Sequence, residues 1–132
     1  MNHARGFFSL TTIGDRLYAT GGYNPWTNYQ TFVESFSHET GWVIEDTMEL
    51  PSSRAEHCSV ALGSRLVVLG GRVGGDTESS SVQAFDTSSQ ALRTIACDKM
   101  CKVFKKFDYR LDSGSVSFTD DRTHFGIYVG PF

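Results

Sequence analysis

The sequence predicts an all-β chain, with short antiparallel strands gathered into two four-stranded units and an incomplete third. Three observations carry that expectation. With 13 glycines, 10 phenylalanines and many Ser and Thr but few long helix formers, the composition suits pleated strands joined by many turns. The chain also superposes on itself without a gap at an offset of 49 residues. Arg5 then falls on Arg54, Gly14 on Gly63, Arg16 on Arg65, Leu17 on Leu66, the pair Gly21–Gly22 on Gly70–Gly71, Val33 on Val82 and Phe36 on Phe85. Finally, tight-turn residues recur between the apolar runs. At 132 residues the chain can bury a core without disulfides or metal. Apolar residues are 39% and charged ones 20%, which marks neither disorder nor a membrane span.

In the first unit the predicted strands are "FFSLTTI", "RLYATG", "TFVESFS" and "GWVIED", and in the second "HCSVAL", "RLVVLG", "SVQAFD" and "ALRTIA". "IGDR" and "LGSR" turn the chain between the first two strands of each unit, and "SHETG" and "DTSSQ" between the last two, so each unit is an antiparallel meander. A double glycine ends each second strand. Two residues without a β-carbon allow a sharp turn or the close approach of a neighbour. "VVLGGRVGGDT" also has the glycine spacing of a phosphate loop, but Asp76 stands where that loop needs Lys and no helix follows. The repeat reads the glycines as structural.

Charge is uneven. The net charge is −3, yet "KMCKVFKKFDYR" holds all four lysines. Its five cations less one carboxylate give +4, leaving −7 for the rest. Basic and aromatic residues alternate there as they do in strands of nucleic-acid binders, but Val103, Phe104 and Phe107 can equally face inward while the lysine stems run along the surface. No nucleic-acid partner is expected, since the basic residues do not spread over a whole face. The three cysteines, Cys58, Cys97 and Cys101, leave at least one unpaired. Together with an N-terminus lacking a signal-peptide core, this points to a reducing, cytoplasmic setting. Cys97 and Cys101 could bridge in an oxidising one. His3, His38, His57 and His124 are scattered singly, so neither a metal nor a cofactor is expected.

"IGDRLYATGGYN…VESFSHETGW" and "LPSSRAEHCSVALGSRLVVLGG" resemble the kelch repeat, with its strand, double glycine, aromatic (Phe36, Phe85) and Trp (Trp42) in order. The resemblance implies blades of a β-propeller: a first over residues 5–49, a second over 50–96, a basic-aromatic connection over 97–114 and a partial third over 115–132. The second blade has Ala91 in the Trp position. In the third, Gly130 is followed by Pro131 and the glycine pair is lost. Propellers close with about 4 to 8 blades. The chain is therefore expected to be part of a longer propeller, to self-associate, or to stand as an open arc.

In a four-stranded meander, the loop joining strands two and three emerges on the same face as the connection to the next blade. Both are long here, and long loops on a rigid scaffold are where binding tends to reside. The family resemblance implies a partner protein taken through this face, as in substrate-recruiting adaptors of ubiquitin ligases or cytoskeletal binders. Trp26, Asn28 and Tyr29 lie in one loop, and exposed aromatics dominate many interfaces; the alternative is that they fold back over the loop. Arg5 and Arg54 either grip a partner's carboxylate or pair with Glu49, Glu56 or loop carbonyls. Arg72 and Asp76 complete the candidate set as loop charges. No catalytic motif is visible, so an enzyme is not expected. A galactose-oxidase-like or other small-molecule site in a propeller channel is the alternative.

Overall fold

The computed structural model describes residues 1–75, 77–89, 91–95, 116–121 and 124–129. The chain runs through β1 (Ser9–Ile13), β2 (Arg16–Thr20), a small ribbon of β3 (Tyr23–Asn24) and β4 (Asn28–Tyr29), then β5 (Val33–Ser37) and β6 (Gly41–Ile44). It repeats the series as β7 (Cys58–Leu62), β8 (Arg65–Leu69), a ribbon of β9 (Arg72–Gly74) and β10 (Thr77–Glu78), β11 (Val82–Asp86) and β12 (Ala91–Ile95). A last antiparallel pair, β13 (Val116–Asp121) and β14 (His124–Val129), follows. β1-β2-β5-β6 and β7-β8-β11-β12 are two four-stranded antiparallel sheets in meander order. Among the described residues there is no helix. The fold is all-β: two four-stranded antiparallel meanders, as expected of kelch-type blades, and a further two-stranded pair.

The repeat offset is visible in the register. Leu17 opposes Phe36 in the first sheet, and Leu66 opposes Phe85 in the second. Strand alternation then gives each sheet two faces. Tyr18 and Val33 on one face of the first sheet, with Met48 and Leu50 beyond β6, pack against Leu66, Val68 and Phe85 of the second. This apolar cluster holds the sheets together, and Leu66, Val68 and Phe85 are wholly buried in it. Val60, Val67, Leu69, Val82 and Ala84 form a second cluster on the far face of the second sheet, with Cys58 against it. Burial there pushes the Cys58 thiol pKa up, which keeps it protonated and inert.

Nearer the innermost strands the contact is polar. Ser59 donates its N–H to Ser9 Oγ at 2.9 Å and its hydroxyl to the same atom at 2.6 Å, and lies 2.6 Å from Thr11 Oγ1. The hydroxyls thus link β1 to β7 across the two sheets.

Two features differ from the sequence expectation. The first strand starts at Ser9 because Phe7 adopts a left-handed backbone (φ 55°), and the stretches expected to be plain loops each contain a two-stranded ribbon. In the first ribbon Tyr23 and Tyr29 are opposed and their rings meet edge to face at 5.2 Å, while Asn28 (φ 64°) closes the turn. Gly22 and Gly71 show why the second glycine of each pair is needed. Both have positive φ, and a β-carbon would lie 2.8 Å from Gly6 O in one case and 2.7 Å from Ala55 O in the other.

Candidate functional site

Among the described residues, one end of the two sheets carries tight turns, at residues 13–16, 37–41 and 62–65. The other end gathers residues 5–8, the two ribbons and the connection from β6 to β7. This loop end is built twice by the same hydrogen bonds. Gly6 and Tyr23 exchange N–H···O bonds at 2.9 Å each, and Ala55 and Arg72, their counterparts one repeat later, do so at 3.0 and 2.8 Å.

Arg5 and Arg54 are both drawn inward beneath this end. The Arg5 guanidinium donates to Glu34 Oε2 at 2.7 Å and to Ala19 O at 3.3 Å, and it lies over the Phe32 ring at 4.4 Å. Burial lowers its pKa and Glu34 opposes the shift. Arg54 donates to Gly70 O, Ser52 Oγ and Ser81 Oγ, each at 2.9 Å. Burial lowers its pKa too. Neither arginine pairs with Glu49 or Glu56; the loop-carbonyl reading describes Arg54, through Gly70 O, whereas the carbonyl that Arg5 reaches, Ala19 O, lies in β2. Glu34 and Gln83 occupy equivalent positions, so the carboxylate under Arg5 is replaced by an amide in the second repeat. Gln83 Oε1 and Arg54 Nε are buried without hydrogen-bond partners.

His57 fills the seam between the two glycine pairs. Its Nε2 is 2.7 Å from Thr20 Oγ1. Burial, reinforced by the Arg54 cation, holds its pKa down to about 3.

The remaining candidates face outward. Trp26 sits at the tip of the first ribbon, 88% exposed, in a turn fixed by Trp26 N–H to Asn24 Oδ1 at 2.8 Å and Thr27 N–H to Asn24 O at 3.2 Å. The ribbon is tied to the N-terminal segment by Asn24 Nδ2, which donates to Ala4 O at 2.6 Å. Asn28 is exposed and Tyr29 half-buried against Tyr23. Arg72 lies 3.4 Å from Glu56 in a half-exposed ion pair. Asp76 lies outside the described residues, as do Cys97, Cys101 and the basic segment 97–114. A cavity of about 230 Å³ opens between residues 2–5 and Asn24, Thr27, Gln30 and Phe32. Among the described residues no group of three or more His, Cys, Asp or Glu is placed to hold a metal.

Sequence reasoning missed two elements of this end. Glu34, the counter-ion of Arg5, carried a usable signal: the 49-residue offset sets it against Gln83. Phe7 and Glu56 are also equivalent, and both are left-handed at φ 55° and 54°. Nothing in their side-chain types announces that conformation.

Residues 53–91 match the family model described as Kelch motif. Among characterised proteins, the chain is 37% identical over 79 residues to the Rho GTPase-activating protein gacHH of Dictyostelium discoideum, 59% of this chain and 5% of that protein. It is 37% identical over 83 residues to alpha-scruin of Limulus polyphemus (62% and 9%). To host cell factor 1 of Homo sapiens it is 32% identical over 90 residues (53% and 4%). The chain therefore spans less than a tenth of each of these relatives.

Proposed function

We propose that this chain, in which residues 53–91 match the Kelch motif, is a protein-interaction module that binds a partner protein through its loop end, with the Trp26 ribbon as the principal anchor. The observation that carries this is the exposure of Trp26 on a built support. An indole 88% exposed lacks the burial that usually stabilises so large an aromatic. Yet the turn beneath it is fixed by two hydrogen bonds and the paired tyrosines. A rigid, displayed aromatic loses little conformational entropy when a partner covers it. Tyr29 and Asn28 supply the adjoining ribbon surface, and Arg72 borders it from the second repeat. Arg5 and Arg54 serve this end from within, by fixing the backbone that presents the ribbons. A substrate-recruiting adaptor role is the finer form of this proposal, and it would use the same end.

A photo-crosslinking amino acid at exposed Thr27 tests the proposal against one at exposed Glu39, on the turn end. The expected result is a partner crosslink from position 27 that disappears in a Trp26→Ala background. Crosslinks arising from position 39 alone would assign binding to the opposite end.

A further inference from the structure

Among the described residues, the loop end is acidic where it meets water. Asp46, Glu49, Glu56 and Glu78 are all exposed. Both recurring arginines are withdrawn, with Arg5 8% and Arg54 0% exposed. Arg72 is the one guanidinium at this end that reaches solvent among the described residues, and Glu56 already engages it at 3.4 Å. The cations Arg16 and Arg65 belong to the turn end.

Two aromatic side chains are exposed at the same end. Besides Trp26, Phe7 is 64% exposed and held at φ 55°, a conformation that bulky residues disfavour. Phe7 O accepts a hydrogen bond from Glu56 N–H at 2.9 Å. An aromatic and a carboxylate therefore stand on adjacent left-handed positions, one supplied by each repeat.

We infer that the partner segment taken by this end is basic and apolar, with Lys or Arg flanking an aliphatic or aromatic residue. The inference rests on the loop-end reading above and adds the sign of the partner's charge. The exposed carboxylates attract a cationic segment during encounter and repel an acidic one. A guanidinium or ammonium so guided can lie over the Trp26 indole, the most favourable ring for a cation. Apolar side chains of the same segment cover Phe7.

The test uses the full chain and three labelled peptides: one in which arginines flank a leucine pair, a copy with Glu for each Arg, and a copy with Gln for each Arg. Fluorescence anisotropy should show the Arg peptide binding roughly tenfold more tightly than the Gln copy, with an advantage that fades as salt rises towards about 1 M. The Glu copy should not bind. Combining Glu49→Gln, Glu56→Gln and Glu78→Gln, with an unchanged thermal melt, should remove most of that tenfold advantage. Trp26→Ala should weaken both the Arg and the Gln peptide, and the Arg peptide more, because only its guanidinium gains a cation–π contact with the indole. If the Glu copy binds best and Trp26→Ala abolishes it, the charge assignment is overturned while the loop-end reading stands. If the Arg peptide binds equally well to Trp26→Ala, the loop-end reading itself falls. Absence of binding by all three peptides overturns the inference.

Discussion

Gly71→Ala puts a single methyl group where the structure has no room for it. At φ +90° the new β-carbon would lie 2.6 Å from His57 Cβ and 2.7 Å from Ala55 O. Two costs add. An L-residue forced to positive φ loses about 1–2 kcal/mol, and driving a methyl into a packed site costs about 1–3 kcal/mol more. The neighbours cannot retreat easily, because Ala55 O accepts the Arg72 N–H at 2.8 Å and His57 is held by Thr20. Gly63→Ala separates the two costs. Gly63 also has positive φ (+59°), but a β-carbon there meets nothing within 4 Å. Urea and thermal unfolding of both variants should show Gly71→Ala less stable than Gly63→Ala by about 1–3 kcal/mol, or about 4–12 °C in midpoint for a domain of this size. Equal losses would refute the close-approach explanation of the double glycine and leave only its backbone conformation.

Glu34→Gln should cost about 3 kcal/mol by leaving the Arg5 guanidinium buried without its counter-charge. Gln83→Glu should raise stability at neutral pH by about 1.5–3 kcal/mol by giving Arg54 the carboxylate that Arg5 has; a lower melting temperature would count against the equivalence. His57 has a folded-state pKa near 3, below the unfolded value of about 6.5, so the unfolded chain takes up its proton first. Its contribution is complete above about pH 6.5 and declines by up to about 1.4 kcal/mol per unit as pH falls below that. Chemical unfolding between about pH 6.5 and 5 should show the decline, with His57→Gln removing it. Leu10, opposed to Ala19 on the face of the first sheet turned away from the second, is 51% exposed. Light scattering should find the isolated chain self-associated and Leu10→Lys less so; a wild-type monomer of 14.6 kDa would show that this face needs no cover.

Much of the architecture was legible because it is written twice. The offset fixed the strands, and the turn residues fixed their order. The ribbons were not legible: Tyr23 and Tyr29 pair across a turn whose Pro25 and polar neighbours read as plain loop. Trp26 was visible as a candidate from its polar surroundings, but its exposure depends on where the ribbon points. The arginines illustrate a different difficulty. Their recurrence is plain in the sequence, whereas their inward direction depends on Glu34, Ser52 and Ser81, drawn from separate strands and loops. The left-handed backbone at Phe7 and Glu56 has no local signature, since neither residue favours it.

The hydroxyls joining β1 to β7 bear on geometry at a larger scale. Apolar sheet faces such as Tyr18 against Leu66 can slide or tilt by small amounts at little cost, because dispersion is not directional. Hydrogen bonds are directional. Ser9, Thr11 and Ser59 therefore pin β1 to β7 and restrain the angle between the two sheets. A small rotation there becomes a large displacement at the rim, where β6 and β12 lie. Because the second repeat has Cys58 and Val60 in the places of Ser9 and Thr11, this polar pin belongs to the step between these two sheets and would not be copied at the next one.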